Sequence, residues 1–185
     1  LLRQAAEARP TESLYWNNVA AACLAIERSQ EAVDAARKAL EIDRGNFMAW
    51  QNLALGLRDL GDHQSAAEAF DEAAKCGAME PSSLAMWGES LGTLKRFVEA
   101  ERVIRTALRA APDDPAIITL LGWLQSELKD DAAARATFRQ SLDLKPEQFL
   151  AAFNYGILSL RAGEAETGLR WLRRATSIEP KSAAA

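Results

Sequence analysis

Residues 47–80, FMAWQNLALGLRDLGDHQSAAEAFDEAAKCGAME, contain the pattern that decides the fold. Apolar residues recur at helical spacing from Trp50 to Leu57, and Gly61 with Asp62 then interrupts the run. A second run with the same helical spacing follows the break. The segment therefore predicts two antiparallel helices joined by a short turn.

The same pattern recurs every 34 residues along nearly the whole chain. We predict five successive repeats that form one continuous domain. The predicted divisions are 1–12 for the end of a preceding second helix, 13–46, 47–80, 81–114, 115–148 and 149–182 for the repeats, and 183–185 for a tail.

Small residues occupy fixed positions in every repeat, counted from its first residue. The eighth position holds Ala20, Ala54, Gly88, Gly122 and Gly156, and the twentieth holds Ala32, Ala66, Ala100, Ala134 and Gly168. Small side chains let two helices approach closely, while bulky ones at the seventh position fill the gaps. Proline near the repeat end disfavours helix at the preceding residue; it stands at Pro112, Pro146 and Pro180. These features predict an all-α chain of helical hairpins.

With these residues in place, the chain resembles the tetratricopeptide repeat family, whose pattern is W-x2-L-G-x2-Y, then A-x3-F-x2-A, then P. The second repeat matches through Trp50, Leu53, Ala54, Leu57, Ala66, Phe70 and Ala73. The departures are Arg44 and Ala78 for the proline, Gln125 and Ser159 for the eleventh-position aromatic, and the polar Thr176. The resemblance implies a right-handed superhelical solenoid of antiparallel helix pairs, whose first helices line a concave groove.

Composition excludes several function classes. The formal net charge of −4 disfavours nucleic-acid binding, which usually requires a basic face. No apolar run is long enough to span a bilayer, and the first residues lack the apolar core of a signal peptide. We expect a cytoplasmic, bacterial protein, with the periplasm left open. Because the chain does not begin with Met, we also expect it to be part of a longer protein.

Catalytic and metal-binding patterns are missing from the sequence. The single histidine, His63, falls at the turn between two helices, where we expect it to be solvated. We interpret the pairs at 113–114 and 130–131 as helix-entry acids. Cys23 and Cys76 lack CxxC spacing, and we expect both to be buried and reduced. The sequence therefore predicts no enzyme activity in this chain, no cofactor and no metal.

The resemblance places the second, fifth, sixth, ninth and twelfth positions of the first helices in the groove. The groove residues that we predict to contact a partner are Asn18, Asn52, Leu55, Met86, Leu120, Trp123, Phe153, Asn154 and Ile157. The later repeats add Leu150 and Leu160, so the groove becomes more apolar there. A large exposed apolar patch usually marks an interaction site. The alternative is that Trp123 and Phe153 pack against neighbouring first helices.

Asparagines at the sixth position resemble those that grip a peptide backbone in the tetratricopeptide domains of O-linked N-acetylglucosamine transferases. Met86 and Leu120 interrupt that series, which leaves a local grip by Asn18 and Asn52, or a purely structural role. A clamp for a C-terminal carboxylate, the mode of chaperone-binding tetratricopeptide domains, would need basic residues at groove positions of adjacent repeats. Asn17, Ala21, Asn52, Ser82 and Met86 stand there in the first three repeats, so we expect no such clamp.

We therefore predict a scaffold for protein–protein interaction that binds a peptide or helix of a partner protein. One alternative is the substrate-recognition arm of a larger glycosyltransferase or peptidase whose catalytic domain lies outside this chain. The other is a self-associating scaffold, because Leu169, Trp171 and Leu172 of the last repeat are expected to be partly bare.

Overall fold

The computed structural model describes residues 12–179, which contain ten α-helices and no strand. The helices are α1 Ser13–Ala25, α2 Ser29–Ile42, α3 Phe47–Asp59, α4 His63–Cys76, α5 Pro81–Thr93, α6 Phe97–Ala110, α7 Pro115–Glu127, α8 Asp131–Leu144, α9 Phe149–Arg161 and α10 Ala165–Ile178. The predicted all-α class is confirmed. Residues 1–11, Pro180 and the predicted tail lie outside the described residues.

The chain forms two compact units, residues 1–95 and residues 96–185. Helices α1–α5 belong to the N-terminal unit and α6–α10 to the C-terminal unit. Odd-numbered helices have 13 residues and are the first helices of the predicted repeats, and even-numbered helices have 14. Each first helix begins at the first residue of a predicted repeat. The exact bounds of the five repeats, and their grouping into one continuous domain, stay predictions.

In the N-terminal unit, small residues and one ring account for the close packing of α1–α4. Phe70 and Ala66 are fully buried, and Val33 of α2 packs where a side chain on Gly56 of α3 would otherwise lie. A Cβ added to Gly56 would come within 2.8 Å of Val33 Cγ2, so glycine is needed there for the helices to approach. Gly56 stands at the tenth position of its repeat, which is not among the positions that the sequence pattern marked as small.

The C-terminal unit uses the same device at two places. Phe138 of α8 is fully buried against Gly122 of α7, and a Cβ on that glycine would come 2.9 Å from its ring. Gly156 of α9 and Gly168 of α10 face each other, so that a Cβ on either would approach the backbone oxygen of the other. Helices α9 and α10 are therefore in backbone contact.

In the turn after each first helix, the residue at the fifteenth position of the repeat has positive φ. The residues are Glu27, Gly61, Lys95, Lys129 and Gly163, with φ between 58° and 83°. Only glycine adopts this conformation without steric cost. Three of the five turns are thus strained, which the sequence pattern did not indicate.

The acidic helix-entry residues are placed as expected. Asp114 accepts hydrogen bonds from the amides of Ala116 and Ile117, and Asp130 accepts one from Ala133. Both carboxylates satisfy amides that have no partner inside the helix. The helix-entry interpretation is confirmed for these two residues.

Two expectations are wrong. His63 is the first residue of α4 and is half-buried, and its Nδ1 is buried without a partner among residues 12–179. Because α4 begins at His63 itself, this residue belongs to the helix and not to the turn before it. Cys76, the last residue of α4, is exposed, whereas Cys23 is buried as expected.

Candidate protein-binding surfaces

In the N-terminal unit, asparagines join α1 to α3. Asn52 Nδ2 donates to Asn17 Oδ1 at 2.8 Å, and the two residues are only 6% and 7% exposed. This geometry supports the structural alternative for Asn52, because its amide donor is already used inside the protein. Asn18, which the sequence grouped with Asn52, is exposed.

Helix α3 is also joined to α5 by polar side chains. Gln51 Nε2 donates to Ser83 Oγ at 3.1 Å, and Arg58 lies 3.8 Å from a Glu89 carboxylate oxygen. Leu55 and Met86 are half-buried and pack against the core of this unit. The first helices of this unit are thus held together by polar contacts as well as by apolar packing.

Two exposed apolar residues of this unit were not singled out by sequence reasoning. Leu14 is 62% exposed and Met48 is 50% exposed. Both stand at the second position of their repeats, which is a predicted groove position. Their place at the second position of the repeat was therefore the sequence signal by which they could have been predicted.

In the C-terminal unit, α9 carries a continuous apolar stripe. Leu150, Phe153 and Leu160 are 62%, 42% and 36% exposed, and Ile157 between them is half-buried. Their spacing of three, four and three residues keeps them on one face of the helix. The Phe153 ring stacks on Phe149 with centroids 5.8 Å apart, which holds it in place.

The neighbouring first helix, α7, packs against α9 and offers less free surface. Trp123 is half-buried, packs against the core of the unit and meets Phe97 edge-on with centroids 6.3 Å apart. Leu120 is half-buried as well. Asn154 of α9 donates to the Leu150 carbonyl oxygen at 2.8 Å, so its amide donor is used within its own helix. Among the nine residues that the sequence predicts to contact a partner, Phe153 is the most exposed apolar one.

The apolar stripe of α9 continues onto α10. The Leu160 side chain covers Gly168, with Cγ 2.6 Å from where a Cβ would lie, and Leu172 covers Gly156. Leu172 is half-buried and Leu169, one turn away from it, is 48% exposed. We call the combined set the α9–α10 surface; it consists of Leu150, Phe153, Ile157, Leu160, Leu169 and Leu172.

Perturbed titratable groups lie at helix ends and exposed ion pairs. Hydrogen bonds from the side chain and backbone of Ser65 lower the pKa of the Asp62 carboxyl. Hydrogen bonding to Asp71 and then Glu72 raises the pKa of the Lys75 ammonium. Ion pairs and helix caps account for these shifts. Within residues 12–179, no group of three or more His, Cys, Asp or Glu side chains is arranged to hold a metal ion.

Among the helices described, none combines the length and the apolarity that crossing a bilayer requires.

Sequence comparison agrees with the repeat pattern. Profiles of the tetratricopeptide repeat match residues 14–46, 52–115, 85–148 and 119–183. The chain therefore belongs to the tetratricopeptide repeat family. Such scaffold families are generally non-enzymatic, and the fold is that of a protein-interaction scaffold.

Individual relatives are similar over different lengths. The peroxisomal targeting signal receptor of Kluyveromyces lactis is 33% identical over 105 residues, which are 54% of this chain and 19% of the receptor. The chain thus spans about a fifth of that relative's length. Among solved structures, YrrB, a tetratricopeptide protein with an unusual peptide-binding site, has a TM-score of 0.84 at 19% identity, covering 97% of this chain and 93% of that one. A MamA protein from Desulfovibrio magneticus has a TM-score of 0.82 at 20% identity, covering 91% of this chain and 96% of that one. These structural likenesses establish the fold.

Proposed function

We propose that this chain is a binding module that holds a peptide or helix of a partner protein against the apolar face of α9, with α7 as the neighbouring wall. The observation that carries the proposal is the stripe of Leu150, Phe153 and Ile157, which hairpin packing does not require to be apolar; Leu160 extends the stripe to the place where it covers Gly168. Contiguous exposed apolar side chains with an aromatic anchor are typical of protein-binding sites.

The contrast with the N-terminal unit supports this choice. There the fifth-position side chains Asn17 and Gln51 are buried and hydrogen-bonded to the following first helix. At the same position in α9, Phe153 is exposed. An exposed ring of this size favours association, because covering it removes apolar surface from water.

The structure also gives a magnitude. Phe153 is 42% exposed. Covering the remaining ~80 Å² of ring surface at about 25 cal/mol per Å² contributes about 2 kcal/mol, or about 30-fold in affinity. Trp123 is a poorer probe, because truncating a half-buried indole that packs on the core would lower stability as well.

The test begins with selection of peptides from a random library displayed on phage against the intact chain. The dissociation constants of selected peptides are then measured by fluorescence anisotropy for the wild type, Phe153→Ala and Val98→Ala. Val98 is the matched control, since it is 72% exposed and apolar but lies on α6, away from the stripe.

We expect Phe153→Ala to weaken binding by about 30-fold and Val98→Ala to leave it unchanged. Thermal unfolding of both variants checks that the fold is retained. Peptides that bind the two variants as tightly as they bind the wild type would refute the proposed surface.

A further inference from the structure

Helix α10 is unusually basic on its exposed side. It carries three arginines, Arg170, Arg173 and Arg174, against one acid, Glu166. Within residues 12–179, no carboxylate forms an ion pair with any of these three arginines. Arg174 instead donates from Nε to the Pro146 carbonyl oxygen at 3.3 Å and lies 5.6 Å from the Trp171 ring.

Other arginines of the same unit have acidic partners nearby. Arg105 on α6 pairs with Glu101 at 2.6 Å, and Arg139 on α8 pairs with Asp143 at 3.0 Å. These pairs join residues one helical turn apart, as is usual on a solvated helix face. Arg173 has no acid at that spacing on its helix, and Glu166, which precedes Arg170 by one turn, forms no ion pair with it within residues 12–179, so both charges are available to another molecule.

The unpaired charges adjoin the apolar side chains described above. Arg173 follows Leu169 by one helical turn, and Arg170 directly follows Leu169 in sequence. Because Leu169 belongs to the α9–α10 surface, the two charges border that surface on its α10 side. The surface therefore combines an apolar centre with a positive border.

We infer that the partner is an amphipathic helix with an acidic flank, which seats its apolar side on the α9–α10 surface and its acidic side chains along Arg170 and Arg173. This inference rests on the proposed function, since it names the chemistry of the partner bound by α9. We infer an acidic flank on the partner because the border of the surface is positive. Opposite potentials across an interface favour the correct partner and orientation.

The spacing of the apolar side chains along α9 indicates that the partner binds as a helix. Residues 150, 153, 157 and 160 repeat at alternating intervals of three and four, which is the seam that packs against a second helix by knobs into holes. An extended peptide, by contrast, presents its side chains with a period of two and would match this seam poorly.

A lipid surface fits less well, although basic amphipathic helices do bind anionic membranes. Trp171 is half-buried and meets Tyr155 edge-on with centroids 5.7 Å apart, so it is not free to insert among lipids. On the described part of α10, Leu169 is the one large apolar residue that is exposed, at 48%. The apolar part of the surface lies mainly on α9, where another helix can pack beside it.

Two synthetic helical peptides of about 18 residues test the inference, both with leucines at heptad spacing. One carries glutamates along one flank of the leucine stripe, and the other carries lysines at the same places. Binding of each to the intact chain is measured by fluorescence anisotropy at low and physiological salt. The variants are Arg170→Glu with Arg173→Glu, Phe153→Ala, and the control Arg102→Glu on the exposed side of α6.

We expect the wild type to prefer the glutamate peptide by about tenfold, which corresponds to two exposed ion pairs, and the preference to shrink at higher salt. The double arginine variant should reverse the preference, while Arg102→Glu should keep it. Phe153→Ala should weaken both peptides equally, because the apolar contact is common to them.

Failure of this inference is distinguishable from failure of the proposed function. If peptide binding depends on Phe153 but shows no preference between glutamate and lysine, the acidic partner is wrong and the proposed binding surface is still supported. Absence of binding by both peptides also overturns the acidic helix. Binding to phosphatidylserine vesicles that depends on the arginines, without a preference between the peptides, would overturn the inference in favour of a membrane. A dimer detected by sedimentation would overturn it in favour of self-association, if the dimer depends on Phe153 and the arginines and prevents peptide binding.

Discussion

Replacing Gly168 by alanine should loosen the contact between α9 and α10. A Cβ at this position would lie 2.6 Å from Leu160 Cγ and 2.9 Å from the Gly156 carbonyl oxygen. Ordinary carbon–carbon contacts are about 3.5–4.0 Å, so each neighbour would have to move. The carbonyl oxygen belongs to the backbone and cannot rotate away, which forces the two helices apart.

Two opposing effects set the size of the change. Overpacking of a helix contact costs about 1–3 kcal/mol, whereas alanine in a helix is favoured over glycine by about 0.5–1 kcal/mol. Because one of the obstacles is backbone, overpacking should dominate and leave a net loss of about 1–2 kcal/mol. In a repeat fold, where each repeat contacts mainly its neighbours, the loss should fall on α10.

Native-state hydrogen exchange is the appropriate assay, since it reports the opening of single helices. A loss of about 1–2 kcal/mol corresponds to amides of α10 exchanging about 5–30 times faster. Thr176→Ala on the same helix is the control, because Thr176 is exposed and the change raises helix propensity without filling a contact. Unchanged or slower exchange of the α10 amides in Gly168→Ala would show that the close approach of α9 and α10 does not depend on glycine at this position.

Three further changes test the strained, unsatisfied and buried polar positions. Lys129→Gly should raise the free energy of unfolding by about 0.5–1 kcal/mol, because Lys129 has φ 66° in its turn; urea denaturation checks this, and a loss of stability would contradict it. Gln125→Met should stabilise by about 1 kcal/mol, since Gln125 Oε1 is buried without a partner among residues 12–179; a lower melting temperature would count against the reasoning. Asn52→Ala should destabilise by about 1–3 kcal/mol by leaving Asn17 Oδ1 unpaired, whereas Asn18→Ala at an exposed site should change stability little; equal effects in denaturant unfolding would reject the structural role.

Helix positions and the class of fold were predictable because they depend on local, repeated features. The spacing of apolar residues, the break at Gly61 and the capping acids Asp114 and Asp130 act within a few residues of themselves. The first helices therefore begin where the repeat pattern places them. The turns at Glu27, Lys95 and Lys129 escaped notice because their left-handed residues are not glycine.

The candidate site was predictable only in part. A helical pattern shows which residues share a face, but not which neighbouring side chain covers them. Asn18 and Asn52 stand at the same repeat position, yet one is exposed and the other is buried against Asn17. Trp123 and Phe153 were named together, and only Phe153 is mainly free of the core.

The amino-acid sequence by itself determined the repeat, its two helices and the faces on which apolar residues gather, because these follow from intervals along one helix. Tertiary structure decided which of those faces stays open. Gly156 and Gly168 let α9 and α10 meet closely enough for Leu160 and Leu172 to cover them, and this contact extends the exposed stripe of α9 onto α10 beside its arginines. Such adjacency depends on how closely two backbones approach, and no interval within a single helix encodes that distance.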